Sequence, residues 1–186
     1  MKRELVYLTG FMASGKSTVG PILANTLGWN FYDLDGLIEI NSGKSIKKIF
    51  EEEGEKFFRN LEKETLTEVS KLDKFIIALG GGTIIEQVNL DLIKSSGLLI
   101  YLESSPEETY KRVRFKRDRP ALLFEGDNEP TKEEFLERIN LILTKRLNYY
   151  NQADYKLNTD NLYVGETVER LVEIIKKELL IEKDKR

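Results

Sequence analysis

The sequence predicts an α/β fold in which a five-stranded parallel sheet lies between two layers of helices. Three observations lead there. Apolar runs of strand length alternate with segments of helical period along the chain. A glycine-rich turn joins the first run to the first helical segment. The length of 186 residues suits one compact domain, residues 1–186, with a core that needs no disulfide or metal staple.

The elements follow in order. Leu5 to Leu8 reads as the first strand, Lys16 to Leu27 as a helix and Phe31 to Leu34 as the second strand. Pro21 sits inside that helix and removes one ladder bond, so a bend or bonding irregularity is expected there. Ser45 can cap a short helix ending near Gly54. Phe58, Leu61, Leu66 and Val69 then recur at helical spacing within Glu55 to Leu72, a helical insertion before the third strand, Phe75 to Leu79. Leu98 to Leu102 and Tyr155 to Leu157 complete the sheet. Ser105-Pro106-Glu107-Glu108 is a strong helix start, and Thr131 with Glu134 has the capping-box spacing for a helix reaching Tyr150. Arg117 to Pro130 lacks periodicity and mixes Pro, Gly, Asp and Asn with charges, which is read as part of a lid over about residues 112–128.

Composition excludes whole classes of chemistry. With no Cys and no His there is no thiol nucleophile, no Cys/His zinc site, no Ser-His-Asp triad and no imidazole base. Catalysis is left to carboxylates, Lys, Arg, Tyr and backbone groups. Lys+Arg number 29 against 32 Asp+Glu, a net charge of -3 that gives no global pull toward nucleic acid or membrane. The apolar run within Met1 to Thr9 is far shorter than a membrane span and no signal-cleavage pattern follows, so a soluble, cytoplasmic, monomeric protein is expected.

Gly10-Phe11-Met12-Ala13-Ser14-Gly15-Lys16-Ser17 matches G-x-x-x-x-G-K-[ST] at every fixed position, after a strand and at the start of a helix. Backbone N–H groups of such a loop wrap a phosphate chain, Lys16 reaches the outer phosphates and the Ser17 hydroxyl can ligate Mg²⁺. The pattern marks a P-loop, and ATP with Mg²⁺ is the expected ligand pair.

Three further features gain weight only together. Asp33 and Asp35, ~6.6 Å apart along an extended chain, would point two carboxylates into one cleft at the end of the second strand; a solvated turn is the bland alternative. Arg59 and Glu62 share a helix face, as a surface ion pair also would. Gly80-Gly81-Gly82 follows a strand and lets backbone approach a ligand, though a flexible turn is nearly as good a reading.

In this order the motifs resemble shikimate kinase over essentially the whole chain. The matching residues are the loop from Gly10 to Gly20, D-L-D at Asp33, F-R-N-L-E from Phe58, G-G-G at Gly80, R-P-A-L-L at Arg119, and Arg146 followed by Tyr150 and Ala153-Asp154. The resemblance implies a three-layer P-loop kinase fold with sheet order 2-3-1-4-5 and an acceptor-binding region over residues 33–62. It implies ATP-dependent phosphorylation of the 3-hydroxyl of shikimate in aromatic amino-acid biosynthesis. Lys16, Asp35 and Arg119 would be catalytic, and Asp35, Arg59, Gly81, Gly82 and Arg146 would meet shikimate. Ala13, Ser14, Gly15, Lys16, Ser17, Thr18, Arg112 and Arg119 would hold ATP, with Ser17 and Asp33 serving Mg²⁺.

Three departures stand out. Ala13 replaces a customary glycine and is tolerable if its φ is negative. Arg146 to Ala153 is one residue tighter than in many relatives, so Lys145 could contest the role of Arg146. No basic residue stands within Asn158 to Leu162. The competing readings are another small-molecule P-loop kinase such as a gluconate kinase, a nucleotide-binding module without turnover, and a nucleic-acid binder using the six basic residues of Lys111 to Arg119.

Overall fold

A computed structural model describes residues 3–114 and 131–180. Five parallel strands, β1 (Leu5–Thr9), β2 (Asn30–Asp33), β3 (Phe75–Ala78), β4 (Leu98–Glu103) and β5 (Tyr155–Asn158), pair in the order β2-β3-β1-β4-β5, as expected. All five residues of β1 are buried, which befits the centre of a sheet covered on both faces.

Alternation along the strands divides the core. Leu5, Tyr7, Ile77, Leu79, Leu99 and Tyr101 face one layer of helices: α2 (Leu34–Ser42), α3 (Ile46–Glu52), α4 (Gly54–Val69), α5 (Gln87–Ser96) and α7 (Lys132–Tyr150). Val6, Leu8, Ile76, Ile100 and Leu102 face the other, made by α1 (Lys16–Leu27) and α8 (Val164–Ile175). A further helix, α6 (Pro106–Val113), joins the P-loop and α7 through Phe11, Val113 and Ile139.

The helix starts obey the capping chemistry. Ser45 accepts from the Lys48 N–H, Ser105 from Glu108, and Thr131 and Glu134 form the reciprocal capping box. Helix α1 runs without interruption through Pro21 to Leu27, with the one ladder bond missing that a ring nitrogen cannot donate.

One boundary needs correction, and the condition set for Ala13 is not met. Leu34 does not end β2; it opens α2, because the Asp33 carboxylate accepts from the N–H groups of Asp35 and Gly36 and turns the chain into a helix. Ala13 does not have a negative φ but lies at +58°, in the left-handed region. Among the described residues no helix is long and apolar enough to cross a membrane. Arg119 and the expected lid beyond Arg114 lie outside the described residues.

Candidate active site

The P-loop leaves β1 at Gly10, where φ is +147° and an added Cβ would stand 2.4 Å from the Leu102 carbonyl oxygen. Only glycine fits there. Helix α1 then begins with neither a side-chain cap nor an acidic residue in its first turn, and the buried Ser14 hydroxyl has no partner. Those two features fit an anion: the positive end of a helix is left uncapped and a donor stands ready. Lys16 Nζ donates to the carbonyls of Gly10 at 2.8 Å and Phe11 at 3.0 Å.

At the other wall Ser17 Oγ donates to Asp33 Oδ2 at 2.7 Å. A hydroxyl and a carboxylate are hard oxygen donors suited to magnesium, which commonly takes few protein ligands and completes its shell with phosphate and water. Among the described residues no cluster of three acidic side chains could hold a metal by itself. Asp35 shares the cleft for a reason other than strand alternation. Asp33 caps α2 and Asp35 occupies its first turn, so helix geometry brings the two carboxylates together. Burial, reinforced by the charges of Asp33 and Glu62 and partly offset by Lys16, pushes the Asp35 carboxyl up to about 6.

Arg59 and Glu62 are no surface pair. The Glu62 side chain is 1% exposed and receives Arg59 Nη1 at 2.8 Å, while Nη2 of Arg59 reaches the exposed Glu55 at 3.3 Å. The guanidinium is thereby aimed across the cleft toward Gly82.

The three glycines provide room rather than flexibility. A Cβ on Gly80 would stand 2.7 Å from Asp35 Oδ1, one on Gly81 3.0 Å from Arg146 Nη1, and one on Gly82 3.2 Å from Arg59 Nη2. Each missing methyl makes space for one of the three charged groups named for the acceptor. Arg146 donates to the Gly81 carbonyl at 3.1 Å, and the Tyr150 hydroxyl donates to the same oxygen at 2.7 Å from a ring stacked on Tyr101. Lys145 is exposed, so Arg146 alone takes the inward position.

Arg112 lies on the P-loop side of the cleft. Its guanidinium donates to the carbonyls of Ala13 and Thr159 at 3.3 and 3.0 Å, bridging the P-loop to the segment after β5. Thr159, Thr83 and Asn89 escaped the sequence reading, since a lone Thr or Asn carries no pattern.

All the described residues named for ATP, metal and acceptor line one cleft of about 1050 Å³, large enough for a nucleotide and a small acid side by side. Residues 12–176 match the family model described as shikimate kinase. The chain belongs to the shikimate kinase family. The shikimate kinase of Chlorobaculum tepidum is 45% identical over 176 residues, covering 95% of this chain and 92% of the relative. That of Chlorobium limicola is 47% identical over 172 residues, covering 92% and 86%. Among solved structures, the shikimate kinase of Acinetobacter baumannii in complex with shikimate superposes with a TM-score of 0.85 at 31% identity, covering 95% of this chain and 96% of that one. The Bacteroides thetaiotaomicron enzyme gives 0.84 at 33% identity, covering 92% and 98%. As a shikimate kinase family member the chain is an ATP-dependent phosphotransferase by class, and the P-loop and acceptor wall supply the two halves such a reaction needs.

Proposed function

We propose that this chain transfers the terminal phosphoryl group of ATP to the 3-hydroxyl of shikimate, with the site residues acting as follows. The observation carrying the reading is the convergence on Gly80-Gly81-Gly82 of one carboxylate and two guanidinium groups, in the same cleft as the P-loop. A small carboxylic acid with several hydroxyls needs that set: cations for its anion, a carboxylate for the reacting hydroxyl and fixed backbone for orientation.

Arg59 and Arg146 bind the shikimate carboxylate. Asp35 orients the 3-hydroxyl, whose oxygen bonds to the γ-phosphorus as the bond to the β,γ-bridging oxygen breaks; the hydroxyl proton passes to Asp35 and ADP leaves. A carboxyl raised to about 6 is still ionised at pH 7 and basic enough to take that proton. Lys16 and the first turn of α1 hold the phosphates, and Arg112 borders the nucleotide. Magnesium, held by Ser17 and Asp33, would neutralise charge on the phosphate oxygens. Arg119, outside the described residues, is the guanidinium assigned to neutralise charge on the transferring group. Because the transition state is loose, positioning and charge neutralisation dominate.

The test is ADP release with shikimate as sole acceptor, beside gluconate. Turnover on shikimate with none on gluconate is expected; the reverse, or tight ATP binding without turnover, overturns the reading. Arg59→Ala separates the halves of the site by calorimetry, with shikimate binding lost and ATP affinity kept. Arg119→Ala is expected to lose ~10³-fold in kcat while shikimate affinity stays within a few-fold.

A further inference from the structure

Behind the acceptor wall runs a buried polar chain of Glu62, Thr83 and Asn89, of which only Glu62 lines the cleft. The Thr83 hydroxyl donates to Glu62 Oε1 at 2.7 Å, and Asn89 Nδ2 donates to the Thr83 carbonyl at 3.1 Å. Thr83, Glu62 and Asn89 are all buried. Glu62 Oε2 in turn receives Arg59. We infer that Thr83 is a positioning residue for the acceptor site, fixing the Arg59 guanidinium through Glu62, with Asn89 holding Thr83 in place.

Few groups restrain Arg59. Its partner Glu55 is 68% exposed on the side chain, so that contact is weak and screened. The Phe58 ring lies under the guanidinium carbon at 5.3 Å but offers a face, not a fixed acceptor, so the direction in which the N–H groups point depends on Glu62. A buried carboxylate with one donor on each oxygen has a single satisfied rotamer. Removing the Thr83 hydroxyl orphans Oε1 and leaves the carboxylate free to turn and draw both guanidinium nitrogens to itself, away from Gly82. Thr83 is well placed to set the register of the wall as well. It opens the 3₁₀ turn after the three glycines, its N–H donates to the Gly80 carbonyl at 3.2 Å, and its hydroxyl would lie 3.1 Å from a Cβ on Gly80. Asn89, in the first turn of α5, extends the chain into that helix, so α4, the glycine turn and α5 are tied through one hydroxyl and one carbonyl.

The inference rests on the reading of Arg59 as the shikimate anchor, and one experiment separates the two. Thr83→Val removes the hydroxyl at nearly constant volume, and Thr83→Ser keeps it. Steady-state kinetics on wild type, both variants and Arg59→Ala are compared, with thermal melting alongside. Thr83→Val is expected to raise the KM for shikimate about tenfold with the KM for ATP unchanged and kcat within about threefold, and Thr83→Ser to restore the wild-type KM. If Thr83→Val melts lower but leaves the shikimate KM unmoved while Arg59→Ala raises it, Thr83 is merely structural and the inference fails alone. If Arg59→Ala also leaves it unmoved, the acceptor reading itself fails. If Thr83→Val raises both KM values alike, the effect is general loosening and the inference again fails.

Discussion

Ser17 and Asp33 are bonded across the cleft, hydroxyl to carboxylate at 2.7 Å, so α1, which follows the P-loop, is tied to the cap of α2, the helix that carries Asp35. Asp33 uses its second oxygen to cap α2. One side chain thus does both jobs, and Asp33→Asn should separate them. An amide still caps, so folding should persist within about 1 kcal/mol, while the magnesium concentration for half-maximal rate rises. Asp35→Asn should instead abolish most turnover and keep ATP binding. Equal effects of both variants on the magnesium requirement would show the roles to be wrongly divided.

Asp35 also makes a prediction about stability. Its carboxyl is raised to about 6 from an ordinary 3.8. Between those values the folded protein holds more protons than the unfolded chain, so this group's contribution to stability falls as pH rises through that window and stays low above it. Asp35→Asn should therefore stabilise the ligand-free protein by about 1–2 kcal/mol at pH 8, with less gain at pH 5. Urea titrations at the two pH values check this; an equal gain at both would rule out ionisation as the cause. The rate should rise with pH through about 6 as the base ionises.

The glycine turn predicts a position-specific pattern. Gly80→Ala presses on Asp35 and should cost kcat by roughly 10²-fold, the scale of a small misplacement of a reacting group. Gly82→Ala presses on Arg59 and should act mainly on the KM for shikimate. Kinetics on the two variants decide; the same defect in both would mean that the turn simply needs flexibility.

Ala13 at φ +58° carries a left-handed penalty that glycine would avoid. Ala13→Gly should stabilise the protein by about 0.5–1 kcal/mol after its own entropic cost, read as a higher urea midpoint. A lower midpoint would show that the methyl packs well enough to offset the strain.

Much of this architecture was legible beforehand. All five strands lie within about a residue of their expected bounds, because β1, β3 and β4 are apolar runs and the edge strands β2 and β5 alternate between more and less buried residues. Helix α2 was not legible, since Asp33-Leu34-Asp35-Gly36 reads as a turn and only the cap geometry shows the chain entering a helix. In the site, the residue types were readable but their reasons were not. The glycines matter because of Asp35, Arg59 and Arg146, which lie far from them in sequence, and Glu62 is buried through a threonine 21 positions away. Local pattern carries no record of such pairings. The φ of Ala13 escaped for the opposite reason: the loop imposes it against the preference of the residue.

The two carbonyl contacts of Lys16 bear on how the loop discriminates among ligands. Its ammonium is not a bare hydrated ion waiting for phosphate; it has already traded part of its water shell for neutral oxygens. An arriving ligand must therefore outcompete carbonyls, and an acceptor does so in proportion to its negative charge. A triphosphate wins that exchange readily, a diphosphate less so, and an uncharged nucleoside has nothing to offer. The lysine contacts thus favour ligands in the order of their negative charge.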